Sequence, residues 1–107
     1  MVGHTGDFNA VIKALETVDS CIDDVIKESI KNKYTLVIIA DHGNAELMIN
    51  SDGSANTAHT TNKVPCFILN TNYKKISAGS LCDIAPTILK IMNNPPPKEM
   101  SGKSIVN

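Results

Sequence analysis

The sequence has few cysteines and no long apolar run, and both shortages narrow the class of protein. Its three cysteines lie far apart and form no Cys-x-x-Cys pair, so neither a disulfide framework nor a thiolate zinc site is expected. We expect Cys21, Cys66 and Cys82 to be buried thiols that pack as small hydrophobic side chains. The longest apolar run, residues 36–40, is far shorter than the ~20 residues that span a bilayer, so no membrane-spanning helix is predicted.

The chain also lacks a concentration of charge of either sign. Ten basic and eleven acidic residues give a formal net charge of −1. The basic residues are scattered, so nucleic acid is not an expected partner. The N-terminal residues lack the basic and then apolar pattern of a secretory signal. A composition of 42% hydrophobic and 20% charged residues over 107 positions predicts one globular, cytoplasmic domain.

The hydrophobic pattern predicts two helices. Between residues 8 and 30, apolar side chains recur at three- and four-residue steps, which is typical of one buried helix face. Asp7 stands where the N-cap of this helix belongs. A second helix is predicted over residues 84–92, with Asp83 as its N-cap and Pro86 at the third helical position.

Two short strands are predicted between these helices. Residues 34–40 are β-branched and continuously apolar, which favours a strand covered on both faces, as in a parallel sheet. A polar loop over residues 50–62 separates this strand from a second one over residues 64–69. The order of elements is that of an α/β layer, whose ligands usually bind at the carboxyl ends of the strands.

Asp41 and His42 directly follow the first predicted strand, which would hold a carboxylate and an imidazole at the edge of the sheet. Both residues can bind a metal, although Asp, Gly and Asn in this order also form ordinary turns. His4 and His59 lie in short polar segments, where a histidine is often only a solvated side chain. All three histidines of the chain therefore fall in loops. Imidazole and carboxylate together suit zinc, manganese or iron in a catalytic site.

Five segments, in the same order along the chain, resemble the 2,3-bisphosphoglycerate-independent phosphoglycerate mutase family. They are MVGHTG (residues 1–6), ADHGNAE (40–46), HTTNKVP (59–65), DIAPT (83–87) and EMSGKS (99–104). The resemblance implies an alkaline-phosphatase-like three-layer α/β fold built on a mostly parallel sheet. Residues 1–107 would be the C-terminal part of its metal-binding domain, without the N-terminal part and the substrate-binding domain.

The resemblance also implies a set of metal ligands. Asp41 and His42 would bind one Mn²⁺, and His4 and His59 would bind the other, without 2,3-bisphosphoglycerate as a cofactor; other divalent metals remain open. Glu46 would orient a ligand from outside the coordination shell, with a solvated carboxylate as the alternative.

The family's reaction interconverts 3-phosphoglycerate and 2-phosphoglycerate through a phosphoserine intermediate. None of Ser51, Ser54 and Ser80 corresponds to the nucleophilic serine, which together with a further aspartate ligand would lie upstream of Met1. We therefore expect no catalytic nucleophile in this chain and no activity of the chain alone. Whether the start at Met1 is natural, misassigned or engineered is left open by the sequence.

Two alternatives remain at this point. The chain could belong to another phosphotransferase of the same superfamily, or it could act as a noncatalytic metal-binding or interaction fragment. The full enzyme is expected to be a monomer that binds phosphoglycerate. A strand that needs cover on both faces predicts that the isolated chain self-associates.

Overall fold

The computed structural model describes residues 2–107, which divide into two compact units. The first unit ends at Asn70 and the second comprises Thr71–Asn107. The elements of the first unit are a 3₁₀ turn (Val2–His4), helix α1 (Phe8–Lys31) and strands β1 (Leu36–Ile39) and β2 (Cys66–Leu69). In the second unit, a 3₁₀ turn (Leu81–Asp83) leads into helix α2 (Ile84–Ile91). Within residues 2–107, no helix combines the length and apolarity needed to cross a bilayer.

Helix α1 forms as its apolar periodicity predicts. The Asp7 carboxylate accepts a hydrogen bond from the Ala10 N–H at 3.0 Å, which confirms Asp7 as the N-cap. The helix ends where Lys33 adopts a left-handed conformation (φ 61°) and the Tyr34 N–H donates to the Ser29 carbonyl. Only Val11 is buried along its length, so most of the apolar stripe faces solvent in this chain.

Strands β1 and β2 form an antiparallel pair, in which Leu36 lies opposite Leu69 and Ile39 lies opposite Cys66. The prediction of a parallel sheet is therefore wrong for this pair. No helix connects the two strands among the described residues, and an antiparallel pair needs none, whereas a parallel pair requires a crossover. The cover on both faces that the apolar run of β1 calls for is not supplied by the described chain. The residues of β1 are half-buried and Ile39 is exposed, because the described sheet has only two strands.

The three cysteines are free thiols, but they are not the buried side chains that we expected. Cys21 lies on the solvent side of α1, Cys82 is exposed in the second 3₁₀ turn, and Cys66 is half-buried at the start of β2. A small apolar side chain is therefore not automatically enclosed in the described chain.

The second unit is organised around the fully buried Val106. Residues near the C-terminus pair with an earlier segment through a bridge between Ile76 and Val106. The Lys90 ammonium donates to the Val106 carbonyl at 2.9 Å. The predicted N-cap role of Asp83 takes another form, because its carboxylate makes no cap hydrogen bond to α2. It instead accepts hydrogen bonds from the backbone N–H groups of Lys103 and Ser80, which lower the pKa of Asp83.

Thr87 links α2 to the C-terminal segment and is only 1% exposed. Its hydroxyl donates to the Asp83 carbonyl at 2.6 Å and accepts from the Ile105 N–H at 3.0 Å. A buried hydroxyl that fills both roles leaves the Ile105 N–H without a partner if it is removed.

Replacing Thr87 with Val should therefore lower the free energy of unfolding by about 1–3 kcal/mol, the usual cost of an orphaned buried donor. Urea denaturation followed by circular dichroism measures this change. Thr87→Ser is the matched control, since it keeps the hydroxyl and loses only a methyl group. Equal stability of the Val and Ser variants would contradict the role assigned to the hydroxyl.

Candidate metal centre

Residues 40–65 connect β1 to β2, and the antiparallel register brings the two ends of this connection together. Because Ile39 lies opposite Cys66, the residues that follow β1 and those that precede β2 emerge at the same end of the sheet. An isolated antiparallel bridge between Gly43 and Thr60 continues this approach, and the Thr60 N–H donates to the Gly43 carbonyl at 2.9 Å. His42 and His59, which directly precede these two residues, are diagonal neighbours across this antiparallel bridge, and their rings can reach each other from there.

The three histidines meet although they are spread over more than fifty positions of the sequence. The ring centroids of His42 and His59 lie 3.6 Å apart, with the rings stacked at 17°. The Nε2 atoms of His4 and His59 lie 3.2 Å apart, and these two ring centroids are separated by 4.9 Å. His59 is thus the central imidazole, in contact with both of the others.

Asp41 joins this cluster through its neighbour. Its Oδ2 lies 3.5 Å from the Nε2 of His42, and its side chain is 83% exposed. The sequence predicted the pairs Asp41 with His42 and His4 with His59. The structure brings the members of each pair together, and it also stacks one pair against the other.

A backbone carbonyl fixes the orientation of His4. The Nδ1 of His4 lies 2.6 Å from the Thr57 carbonyl oxygen, which can only accept, so Nδ1 carries the proton. The lone pair of the neutral ring is then on Nε2, the atom that faces His59. This is the arrangement that orients metal-binding histidines in proteins, with the second ring nitrogen donating to a carbonyl or carboxylate.

The candidate donor atoms lie in pairs, and the spacing of one pair fits a divalent transition metal. Two imidazole nitrogens that bind one tetrahedral ion at the usual distance stand about 3.3 Å apart, close to the 3.2 Å between the Nε2 atoms of His4 and His59. A catalytic site normally uses three protein ligands. Within residues 2–107, no group of three or more His, Cys, Asp or Glu side chains has the geometry of a metal site. The candidate donors that the described residues bring together are thus two pairs, His4 with His59 and Asp41 with His42.

The Glu46 carboxylate, for which a solvated state was the alternative, is held by hydrogen bonds. It accepts from the Thr60 hydroxyl, from the Asn62 side-chain amide at 3.0 Å and from the Asn44 backbone N–H at 2.7 Å. The Thr60 hydroxyl is the largest of the causes that lower the pKa of Glu46 to about 2. The contacts are made to loop residues, and none is made to a predicted metal ligand.

Sequence reasoning missed Asn44, Thr60 and Asn62 as members of the site. Asn44 donates from its side-chain amide to the Ala58 carbonyl at 3.1 Å. Thr60 and Asn62 were interpreted as part of a surface loop and Asn44 as a turn former, and within the family segments none of the three was given a role. Their direct attachment to the histidine-bearing segments was the available indication, since Thr60 follows His59 and Asn44 lies two residues after His42.

Known proteins resemble this chain over nearly its whole length. The model of the family described as "Metalloenzyme superfamily" matches residues 1–96. A 2,3-bisphosphoglycerate-independent phosphoglycerate mutase of Flavobacterium johnsoniae is 53% identical over 106 residues, covering 99% of this chain and 21% of the relative. The corresponding protein of Bacteroides thetaiotaomicron is 47% identical over 107 residues, with 99% and 21% covered. The chain thus spans about a fifth of the length of the curated relatives it matches.

A solved structure supports the same relationship. A crystal structure of Leishmania mexicana phosphoglycerate mutase at low cobalt concentration superposes with a TM-score of 0.84 at 25% identity, covering 99% of this chain and 23% of that one. These findings confirm the resemblance that the five motifs indicated, and they confirm the α/β class of the fold.

The hydrogen bonds to Glu46 should make the stability of the chain depend on pH in acid. Its pKa is about 2 in the folded chain against 4.5 as the ordinary value, so the unfolded state binds more protons between these limits. The stabilisation from Glu46 is complete above about pH 4.5 and is lost as the pH falls towards 2.

We expect the free energy of unfolding of Glu46→Gln to fall less steeply than that of the wild type over this interval, as measured by urea titrations at a series of pH values. Glu99→Gln, at an exposed position in the C-terminal segment, is the control and should keep the wild-type slope. A wild-type slope in Glu46→Gln would rule out the proposed hydrogen-bonded carboxylate.

Proposed function

The chain belongs to the metalloenzyme superfamily, and we propose that residues 1–107 are the C-terminal, metal-binding part of a cofactor-independent phosphoglycerate mutase. The full enzyme would interconvert 3-phosphoglycerate and 2-phosphoglycerate in the cytoplasm, without nucleic acid or membrane as a partner. The observation that carries the proposal is the convergence of His4, His42 and His59 from three separate segments.

The ligands of this proposal are two pairs. His4 and His59 would hold one divalent ion through their Nε2 atoms, and Asp41 and His42 would hold a second one; Mn²⁺ is the proposed metal at both. Two divalent cations at such a site neutralise phosphoryl oxygens and stabilise an attacking alkoxide. The chain's own contribution is to present these groups in fixed orientations.

Each element of the site has a definite task in this scheme. The Thr57 carbonyl holds the Nδ1 proton of His4 and leaves Nε2 free to bind. The exposed Asp41 carboxylate supplies negative charge beside His42. The remaining ligands, the nucleophilic serine and the groups that bind the glycerate would come from the other four fifths of a protein the length of the relatives.

Two other functions are compatible with the metal pairs. A different phosphotransferase of the same superfamily would share the ligands but act on another phosphate ester. A noncatalytic metal-binding chain would hold the ions without any reaction. These possibilities can be separated by a chimera in which the rest of a phosphoglycerate mutase supplies the catalytic groups that this chain lacks.

We expect mutase activity when residues 1–107 replace the corresponding C-terminal residues of the Flavobacterium johnsoniae relative, as followed by conversion of 3-phosphoglycerate with Mn²⁺. The isolated chain should show no turnover under the same conditions. In the chimera, His4→Ala and Asp41→Ala should each reduce the rate by more than the ~10–100-fold that loss of a partner outside the coordination shell costs.

Lys13→Ala in the exposed face of α1 is the control substitution and should leave the rate unchanged. A folded chimera without mutase activity would contradict the proposed function. Full activity of the Asp41→Ala chimera would instead remove Asp41 from the ligand set.

The exposed apolar stripe of α1 supports self-association of the isolated chain. Leu15, Val18 and Val25 are each about half exposed. Together with Glu16, Asp19 and Ile22, two of them line a shallow groove of about 430 Å³. Soluble monomers rarely leave a continuous apolar surface of this kind in water.

We therefore expect the 107-residue chain to form dimers or larger species in light scattering at micromolar concentration. Val18→Lys should shift it towards the monomer, because a charged side chain in the stripe disfavours burial of that surface. Thr17→Lys, a neighbouring position outside the stripe, is the matched control. A monodisperse wild-type monomer would contradict this prediction.

A further inference from the structure

One carboxylate gathers hydrogen-bond donors from both loops of the candidate site. Glu46 belongs to the loop that follows β1 and accepts from the Asn44 N–H of its own loop. It also accepts from Thr60 and Asn62, which belong to the loop that precedes β2. Hydrogen bonds to an ionised acceptor are roughly twice as strong as neutral ones, so the two loops are joined by their strongest contacts at this point.

The three histidines lie close to residues of this network, either along the chain or through one neighbouring glycine. Gly43, which follows His42, is bridged to Thr60, which follows His59. Gly3, which precedes His4, lies so close to Asn44 that a Cβ added to it would stand 1.9 Å from the Asn44 Oδ1. The backbone that carries each imidazole therefore adjoins the Glu46 network.

The space around Gly43 indicates that the approach of Glu46 and Thr60 is built into the backbone. A Cβ at this position would lie 2.1 Å from the Thr60 Oγ1 and 2.3 Å from a carboxylate oxygen of Glu46. Only glycine lets the hydroxyl and the carboxylate meet over the chain here. The same glycine carbonyl accepts the Thr60 N–H, so backbone and side-chain contacts coincide.

Besides the Asn44 side-chain amide, which donates to the Ala58 carbonyl, other contacts between the two loops are few within the described chain. Apart from the Gly43–Thr60 bridge, the backbone pairing is limited to the bridge between Ile49 and Ala55 in the distant turn. Asn56 fixes that distant part, where its amide donates to the Leu47 carbonyl at 2.8 Å. His42 and His59 are both exposed.

We propose that Glu46, acting through the Thr60 hydroxyl, is a positioning residue that locks the two metal-ligand pairs into one arrangement. The lock operates before any ion binds, because its contacts are made between loops and not to ligand atoms. A preorganised site does not have to order its loops when the ions bind. The expected effect on metal affinity rests on the proposed function. The expected effect on the arrangement of the imidazoles does not.

The test uses the whole 107-residue chain without metal. Nuclear Overhauser contacts between the ring protons of His42 and His59 report the stacking directly, at a fixed pH. Thr60→Val removes the hydroxyl and keeps the shape of the side chain, and we expect these contacts to be lost. Thr61→Val is the matched control, since the Thr61 hydroxyl has no hydrogen-bond partner among residues 2–107, and it should keep them.

Two further variants separate loss of the lock from loss of the fold. Thr60→Ser retains the hydroxyl and should restore the ring contacts, while Glu46→Ala should remove them as Thr60→Val does. The amide fingerprint of β1 and β2 checks that each variant remains folded. Ring contacts of wild-type intensity in folded Thr60→Val would overturn the proposal, as would their loss in Thr61→Val to the same extent.

Titration with Co²⁺ gives the second readout. Thr60→Val should weaken binding by the ~10–100-fold typical of partners outside the coordination shell, and Thr61→Val should not. If the wild-type chain binds no Co²⁺ but the ring contacts follow the expected pattern, the lock stands and the proposed metal pairs fail. If Co²⁺ binds equally to wild type and folded Thr60→Val, the lock is overturned while the metal pairs stand.

Discussion

Because Ile39 lies opposite Cys66, the chain leaves β1 and enters β2 at the same end of the sheet. This register determines which parts of the long connection can meet. It brings His42 and His59 within stacking distance, and the turn before α1 then supplies His4. A shift of the pairing by one residue would turn every side chain of β1 to the other face and separate the two loops. The candidate site is thus a consequence of strand pairing.

Polar contacts, and not apolar packing, hold the site in its arrangement. The groups that hold the loops around the three imidazoles are a carbonyl, a carboxylate, a hydroxyl and side-chain amides. Such contacts specify direction well but contribute modestly to stability, about 0.5–1.5 kcal/mol each. A charged acceptor such as Glu46 strengthens the set, and the absence of a Cβ at Gly43 allows it to form.

Local sequence patterns were enough to predict the helices and strands, whereas the pairing of the strands and the burial of individual side chains could be seen only in the structure. The periodicity of α1 and the N-cap at Asp7 were predicted correctly, because both depend on nearby residues. The parallel direction of β1 and the burial of Cys21 were not, because both depend on what lies beside the element. The convergence of the histidines followed from the family resemblance, while the role of Thr60 needed coordinates, since nothing in its side chain distinguishes it from Thr61.

The sparse burial of apolar side chains also affects how the chain responds to temperature. Among the described residues, the buried hydrophobic side chains are Val11, Met48, Ile68, Ile105 and Val106, and the stripe of α1 already lies in water. Unfolding would therefore hydrate little additional apolar surface. The heat-capacity increase on unfolding should then fall below the usual ~1.2–1.5 kcal/mol/K per 100 residues. A low heat-capacity change gives a stability curve with little curvature, so cold denaturation would begin only at a lower temperature than is usual for a domain of this size.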